Sequence, residues 1–204
     1  MENVPRVKHA RDLARAYLKK HAVTKPPTPI EEIIAHEQLR IVPRSWGKNN
    51  AVGALLFRKQ RVIAINRDDP KRRQRFSLAH ELGHYALHHD AENTEWGTVD
   101  IDHPPDDDAF PEGAATAQHG NKVHEQEANA FASEILVPKE FLLQLKPKRK
   151  KNADAADESL NRPFAALAQQ RHQQRREPST KELVDIFDVS EDVVVLALGK
   201  HGSL

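Results

Sequence analysis

The chain contains no cysteine. That excludes disulfides, thiolate zinc sites and cysteine nucleophiles together, so any transition-metal site must draw its donors from His, Asp and Glu. No apolar stretch approaches the roughly 20 residues of a membrane-spanning helix. The segment Met1–Lys20 is broken throughout by charge and lacks the apolar core of a signal peptide. A soluble, cytoplasmic protein is therefore expected. Net charge is lacking too. Lys and Arg number 31 against 30 Asp and Glu, leaving +1, so no global field marks a polyanion binder, and direct nucleic-acid binding is not expected. Charge is local instead. Residues 90–112 carry nine acids, while 144–151 and 171–176 are basic.

The 204 residues suit one compact domain with appended structure, and no internal repeat is visible. Residues 6–21 place Val7, Ala10, Leu13, Ala14, Tyr17 and Leu18 on one side of a helix. After Lys25-Pro26-Pro27, Thr28 reads as an N-cap, with Pro29 at the first helical position and Glu31 completing a capping box. A strand follows around Leu39–Val42. Two apolar runs, 51–57 and 61–65, are joined by Arg58-Lys59-Gln60 and read as an antiparallel hairpin. Asp69 and Pro70 then open a helix predicted to reach about His89.

Residues 90–122 are rich in Asp, Glu, Pro and Gly and show no sustained period. Structureless loops longer than about 12–15 residues are uncommon unless functional or disordered. A further helix is predicted from about Val123 to Leu136, stopping before Pro138. The organisation expected is a domain over 1–143 with an acidic insertion at 90–122, a charged linker at 144–160, and a helical segment at 161–204. That last segment has a polar helix at about 163–176 and a helix pair. Ser179 and Glu182 form a capping box opening the pair, Ser190 caps its second helix and Gly199 ends it. The fold class is α+β, with a small antiparallel sheet packed on helices.

The chemistry-bearing pattern is His80-Glu81-Leu82-Gly83-His84, an H-E-x-x-H sequence. Residues i and i+4 share a helical face, so both imidazoles can reach one ion. Glu81 projects from the adjacent strip and can act as a general base toward a water there. A nearby contrast exists at His36-Glu37, where Arg40 stands in the second-ligand position and His36 reads as an ordinary surface histidine.

A catalytic zinc takes three protein ligands and keeps one position open. The metzincin pattern would need Gly at 87 and His at 90, where Leu87 and Asp90 stand. Asp100 is one acidic candidate for the third ligand. A better one lies on the next helix, whose apolar face is Ala128, Phe131, Ala132, Ile135 and Leu136. At the helical period, Glu125 falls about 60° from the centre of that face and Glu127 about 100° away, beside Glu134. Glu125 is therefore expected to point inward.

The segment Arg75-Phe76-Ser77-Leu78-Ala79-His80-Glu81-Leu82-Gly83-His84-Tyr85, followed by Glu125 to Pro138, resembles the ImmA/IrrE family of metallo-endopeptidases. The hairpin at 51–66 and Val189-Ser190-Glu191 are similar to that family too. The resemblance implies a zincin-like fold of the gluzincin kind. It implies a Zn2+ ion on His80, His84 and Glu125, with Glu81 as base. It also implies a regulatory endopeptidase whose partner is a helix-turn-helix repressor of the XRE type. The acidic 90–122 segment is longer than that family's usual connection.

Other features extend this reading. His88, His89 and His124 flank the ligands, and His124 is the candidate to assist the transition state because it neighbours Glu125. The acidic segment joins the two ligand helices and would make a lid favouring a basic partner. Residues 51–57 offer a strand edge to an extended peptide. Residues 179–199 have a helix-turn-helix look, which raises the alternatives of a DNA-binding regulator or a non-catalytic zinc-binding module in a toxin–antitoxin-like pair. The apolar run Val193-Val194-Val195-Leu196 argues for a packing element instead of a recognition helix.

Overall fold

The computed structural model describes residues 4–46, 52–87, 122–146 and 176–200. Among them run α1 (Val7–Lys20), α2 (Ile30–His36), β1 (Arg40–Arg44), β2 (Ala54–Phe57), β3 (Val62–Asn66) and α3 (Lys71–Ala86). After these come α4 (Lys122–Leu136), α5 (Lys139–Leu145), α6 (Thr180–Phe187) and α7 (Glu191–Lys200). The architecture is α+β. No helix of the described residues is long and apolar enough to cross a membrane.

The sheet order is β1-β3-β2. The expected hairpin is present: β2 runs antiparallel to β3, with Ala54 opposite Ile65 and Phe57 opposite Val62. β1 joins the other side of β3 in parallel. Every residue of β3 is buried, which suits its apolar run Val62–Ile65, because a central strand covered on both faces has little polar side to show. Among the described residues β2 and β1 are the outer strands.

α3 packs chiefly on α4, and α4 is covered on another side by α1. The core joins apolar residues of α1, α2, the sheet, α3, α4, α5 and the C-terminal pair. In α7, Val193, Val194 and Ala197 are buried in it, so this helix spends its apolar face on packing. Ser179 accepts a hydrogen bond from the Glu182 backbone N–H, and Glu182 accepts one in return, completing the expected capping box.

Several local expectations are corrected. Thr28 does not cap α2; its hydroxyl donates to the Ile135 carbonyl on α4 at 2.7 Å, and Pro29 holds the cap position with no side-chain cap. Asp69 does not cap α3, which begins after Pro70. Gly199 does not end α7, which reaches Lys200. The helix expected to stop before Pro138 does so, since α4 ends at Leu136, but Pro138 also starts a helix that was not expected. It serves as the N-cap of α5, which buries Phe141, Leu142 and Leu145. The polar helix at 163–175 and most of the 144–160 linker lie outside the described residues.

Glu127 and Glu134 lie away from the centre of the apolar face of α4 but not in solvent. Both are buried, because α1 packs on that side of α4. Glu127 accepts from the Arg6 backbone N–H at 2.6 Å, and Glu134 accepts from Arg15 Nε at 2.9 Å.

Candidate metal centre

The second half of α3 is buried without interruption from Leu78 to His84. Its first half, Lys71 to Arg75, is mostly charged, so the helix enters the core partway along, with His80 lining a cleft and His84 fully buried one turn further in. Gly83 sets how closely the facing helix can approach. A Cβ there would stand 3.2 Å from both Cα and O of Ala128 and 3.2 Å from Cβ of Phe131. Those are tight, mostly backbone contacts, so glycine on α3 and alanine on α4 let the two axes draw together.

This close crossing brings Glu125 to the histidines. His84 Nε2 lies 3.0 Å from His80 Nε2. The Glu125 carboxylate places Oε2 at 3.3 Å from His80 Nε2 and Oε1 at 3.2 Å from His84 Nε2. The three residues form a donor group that could hold a metal ion. Of the two competing glutamates, Glu125 is the one brought to the histidines; Glu127 is engaged by Arg6 on the other side of α4.

The donor set fits a transition-metal ion. Ligands about 2.0–2.1 Å from a tetrahedral centre are separated from each other by about 3.3 Å, and the three edges here are close to that. Two imidazole nitrogens facing each other and a carboxylate are also mutually unfavourable unless a proton or cation lies among them.

His80 is oriented by a fourth residue. Its Nδ1 lies 3.1 Å from Asn129 Oδ1. An amide oxygen only accepts, so Nδ1 carries the hydrogen and the Nε2 lone pair is directed at the donor triangle. Asn129 was not singled out in the sequence, although it sits one turn beyond Glu125 on the same face, and that i+4 spacing was the available signal. Arg58, in the β2–β3 turn, was also missed. It donates to the carbonyls of His84 and Tyr85 at 2.8 and 3.0 Å and stacks 5.0 Å from the Tyr85 ring. Its charge meets the negative end of α3 and steadies the turn that carries His84.

Above the triad lies a cleft of about 320 Å³ lined by Gly53, Ala54, Arg73, Phe76, Ser77, His80, Glu81, Glu125 and Asn129. Glu81 is almost wholly buried and faces this cleft. His124 is half-buried in the first turn of α4 and is not among the cleft-lining residues. His36 is exposed, as expected. Asp100, His88, His89 and the acidic segment up to residue 121 lie outside the described residues.

Residues 35–198 match the sequence model of the IrrE N-terminal-like domain, peptidase M78. The chain belongs to this family. Its zincin-like fold accords with the small sheet and the helix-borne donor group, and the family supports a metallopeptidase type of function. The comparison with curated proteins gives no match. This M78-family chain keeps α1 and most of α2 outside the matched residues, yet α1 packs directly on the helix that carries Glu125.

Proposed function

We propose that this M78-family protein is a zinc-dependent endopeptidase that cuts a peptide bond in a partner protein. The observation that carries the reading is the convergence of His80, His84 and Glu125 at the base of a cleft that Glu81 also lines. His80, His84 and Glu125 would hold the ion, which would supply Lewis acidity for activating a water and a carbonyl. The protein's own residues do the rest. Asn129 holds the His80 tautomer, Glu81 takes the proton from the attacking water and returns it to the leaving amine, and the burial of Glu81 keeps bulk water from competing for that proton.

Among the described residues β2 is an outer strand of the sheet, and it begins at Ala54, which itself lines the cleft. An extended peptide seated in this cleft would run beside the start of β2 and reach the donor triangle. An endopeptidase needs such a lengthwise seat, since it must hold chain on both sides of the scissile bond. The partner proposed is a basic DNA-binding repressor of the helix-turn-helix type, acting in the cytoplasm. The nine acids between Asp90 and Glu112 support a basic partner.

Glu81→Gln tests the proposal. The variant is expected to bind zinc with the stoichiometry of the parent and to cleave no peptide. A variant that cleaves as fast as the parent would end the assignment of Glu81 as base. Loss of the biological effect in the parent's absence, combined with an unchanged effect in Glu81→Gln, would favour the non-catalytic module.

A further inference from the structure

The cleft has a second end. Arg73 lines it seven residues before His80, two turns along the same face of α3 and about 10 Å from the histidine by helical rise. Ser77 lies between them, one turn from each end. The cleft is thus a strip along one helix face, with the donor triangle at one end and a guanidinium at the other.

Arg73 is held from beneath. Its Nε lies 3.2 Å from Asp69 Oδ2, and the Asp69 side chain is fully buried while that of Arg73 is 38% exposed. Burial pushes the Asp69 carboxyl up, the Arg73 charge draws it back down, and neighbouring Asp68 adds a further upward push. A buried carboxylate thus anchors a solvent-facing cation, which restricts the rotamers of a long side chain before any ligand arrives. Gly53 shares this wall. A Cβ there would collide with the Ser77 hydroxyl and stand 3.5 Å from Asp69 Oδ2, so the glycine keeps the strip open beside β2.

Helix electrostatics do not account for the arginine. The first turn of α3 holds no acid and carries Lys71, Arg72 and Arg73 at the positive end of the helix dipole, where cations are disfavoured. Arg72 is spent on Asp185 and Asp188 of the C-terminal pair, at 3.0 and 3.1 Å. Arg73 pairs with Asp69 and lines the cleft. A local rule broken at a cleft wall, with a buried acid supporting the break, marks a recognition position.

We propose that Arg73, anchored by Asp69, is a specificity residue that binds a carboxylate of the peptide about three residues from the scissile bond, the separation set by about 10 Å of helix and about 3.3 Å per extended residue. This rests on the peptidase reading above. The carboxylate is either an Asp or Glu side chain or the free C-terminus of the substrate. Recognition of this local acid is compatible with a partner whose overall charge is basic.

Peptide hydroxamates test it, because the hydroxamate anchors at the metal and binding is read without cleavage. Two series are titrated calorimetrically into the zinc-loaded protein, one extending from the anchor in each chain direction. Each carries Glu, Gln or Lys at the first to fourth positions, and the series that runs to a C-terminus is made as both acid and amide. At one position Glu is expected to bind at least about tenfold tighter than Gln, the effect of one charge-assisted contact. If the free C-terminus is the ligand, the acid–amide pair shows that preference instead. Arg73→Ala should abolish it and Arg73→Glu should turn it toward Lys, with zinc content unchanged. Hydroxamates that bind with no carboxylate preference at any position overturn the proposal, and the parent protein alone suffices for that result. An Arg73-dependent preference in a protein that cleaves no peptide would instead sink the peptidase reading and leave the subsite standing.

Discussion

Nδ1 of His80 stands 3.1 Å from Oδ1 of Asn129, so the residue one turn past Glu125 orients the ring that Glu125 itself faces. One helix face of α4 thereby contributes both a donor and the group that aims another donor. Such supporting partners orient ligands and raise their basicity.

Replacing Asn129 by Ala should weaken metal binding about 10–100-fold, the usual cost of losing a ligand's supporting hydrogen bond. Competition titration against a chromogenic chelator measures it. Asn129→Asp keeps the acceptor and should restore most of the affinity. An alanine variant that binds metal like the parent would show that the ring needs no such partner.

Gly83→Ala should separate α3 from α4. The added methyl meets backbone atoms of Ala128 at 3.2 Å, which cannot swing aside as a side-chain end could. Overpacking of this kind costs about 1–3 kcal/mol, against about 1 kcal/mol gained from helix propensity. A lower melting temperature and weaker metal binding are expected together, because Glu125 moves with α4. A variant more stable than the parent would mean the interface yields easily.

Metal should stabilise the fold. His80, His84 and Glu125 meet only in the folded chain, so an ion bound there and not to the unfolded state adds about 2.7 kcal/mol at a hundredfold excess over its dissociation constant. Thermal melts with and without chelator read this directly. The same chelator should leave the melting temperature of a His80→Ala, His84→Ala double variant unmoved.

Stability should fall in acid partly through Glu37. Burial alone would raise its carboxyl, but hydrogen bonds from Lys20 and His21 hold it below the ordinary glutamate value of 4.5. His21 Nε2 lies 2.8 Å from Oε1, joining the end of α1 to the end of α2. A carboxyl depressed in the folded state contributes stability above its unfolded value and loses it as pH drops through the folded one. Glu37→Gln should therefore be less stable at neutral pH and lose less than the parent between about pH 5 and pH 3. Parallel denaturant titrations across that range would expose the opposite trend if the pair were inconsequential.

What could be read from the sequence was whatever local periodicity controls. Four-residue spacing put His80 and His84 on one face, two apolar runs with a short connection marked the β2–β3 hairpin, and Ser179 with Glu182 opened α6 as written. The inward turn of Glu125 was also legible, because its angle from the apolar face of α4 depends only on that helix. What the tertiary structure alone decided was which polar residues would meet partners far away in the chain. Thr28 looked like a cap but found the Ile135 carbonyl, and Glu134, off the apolar face of its own helix, found Arg15. Asp69 looked like a cap and instead anchors Arg73 in the cleft. A helix pattern shows which side is apolar, but it cannot show that a second helix covers the polar side as well. Here α1 does so on α4, because paired charges and hydrogen bonds offset the desolvation of Glu127 and Glu134. The H-E-x-x-H face was therefore set by residues 80–84 themselves, while the third donor reached it through a close helix crossing that only folding of distant segments creates.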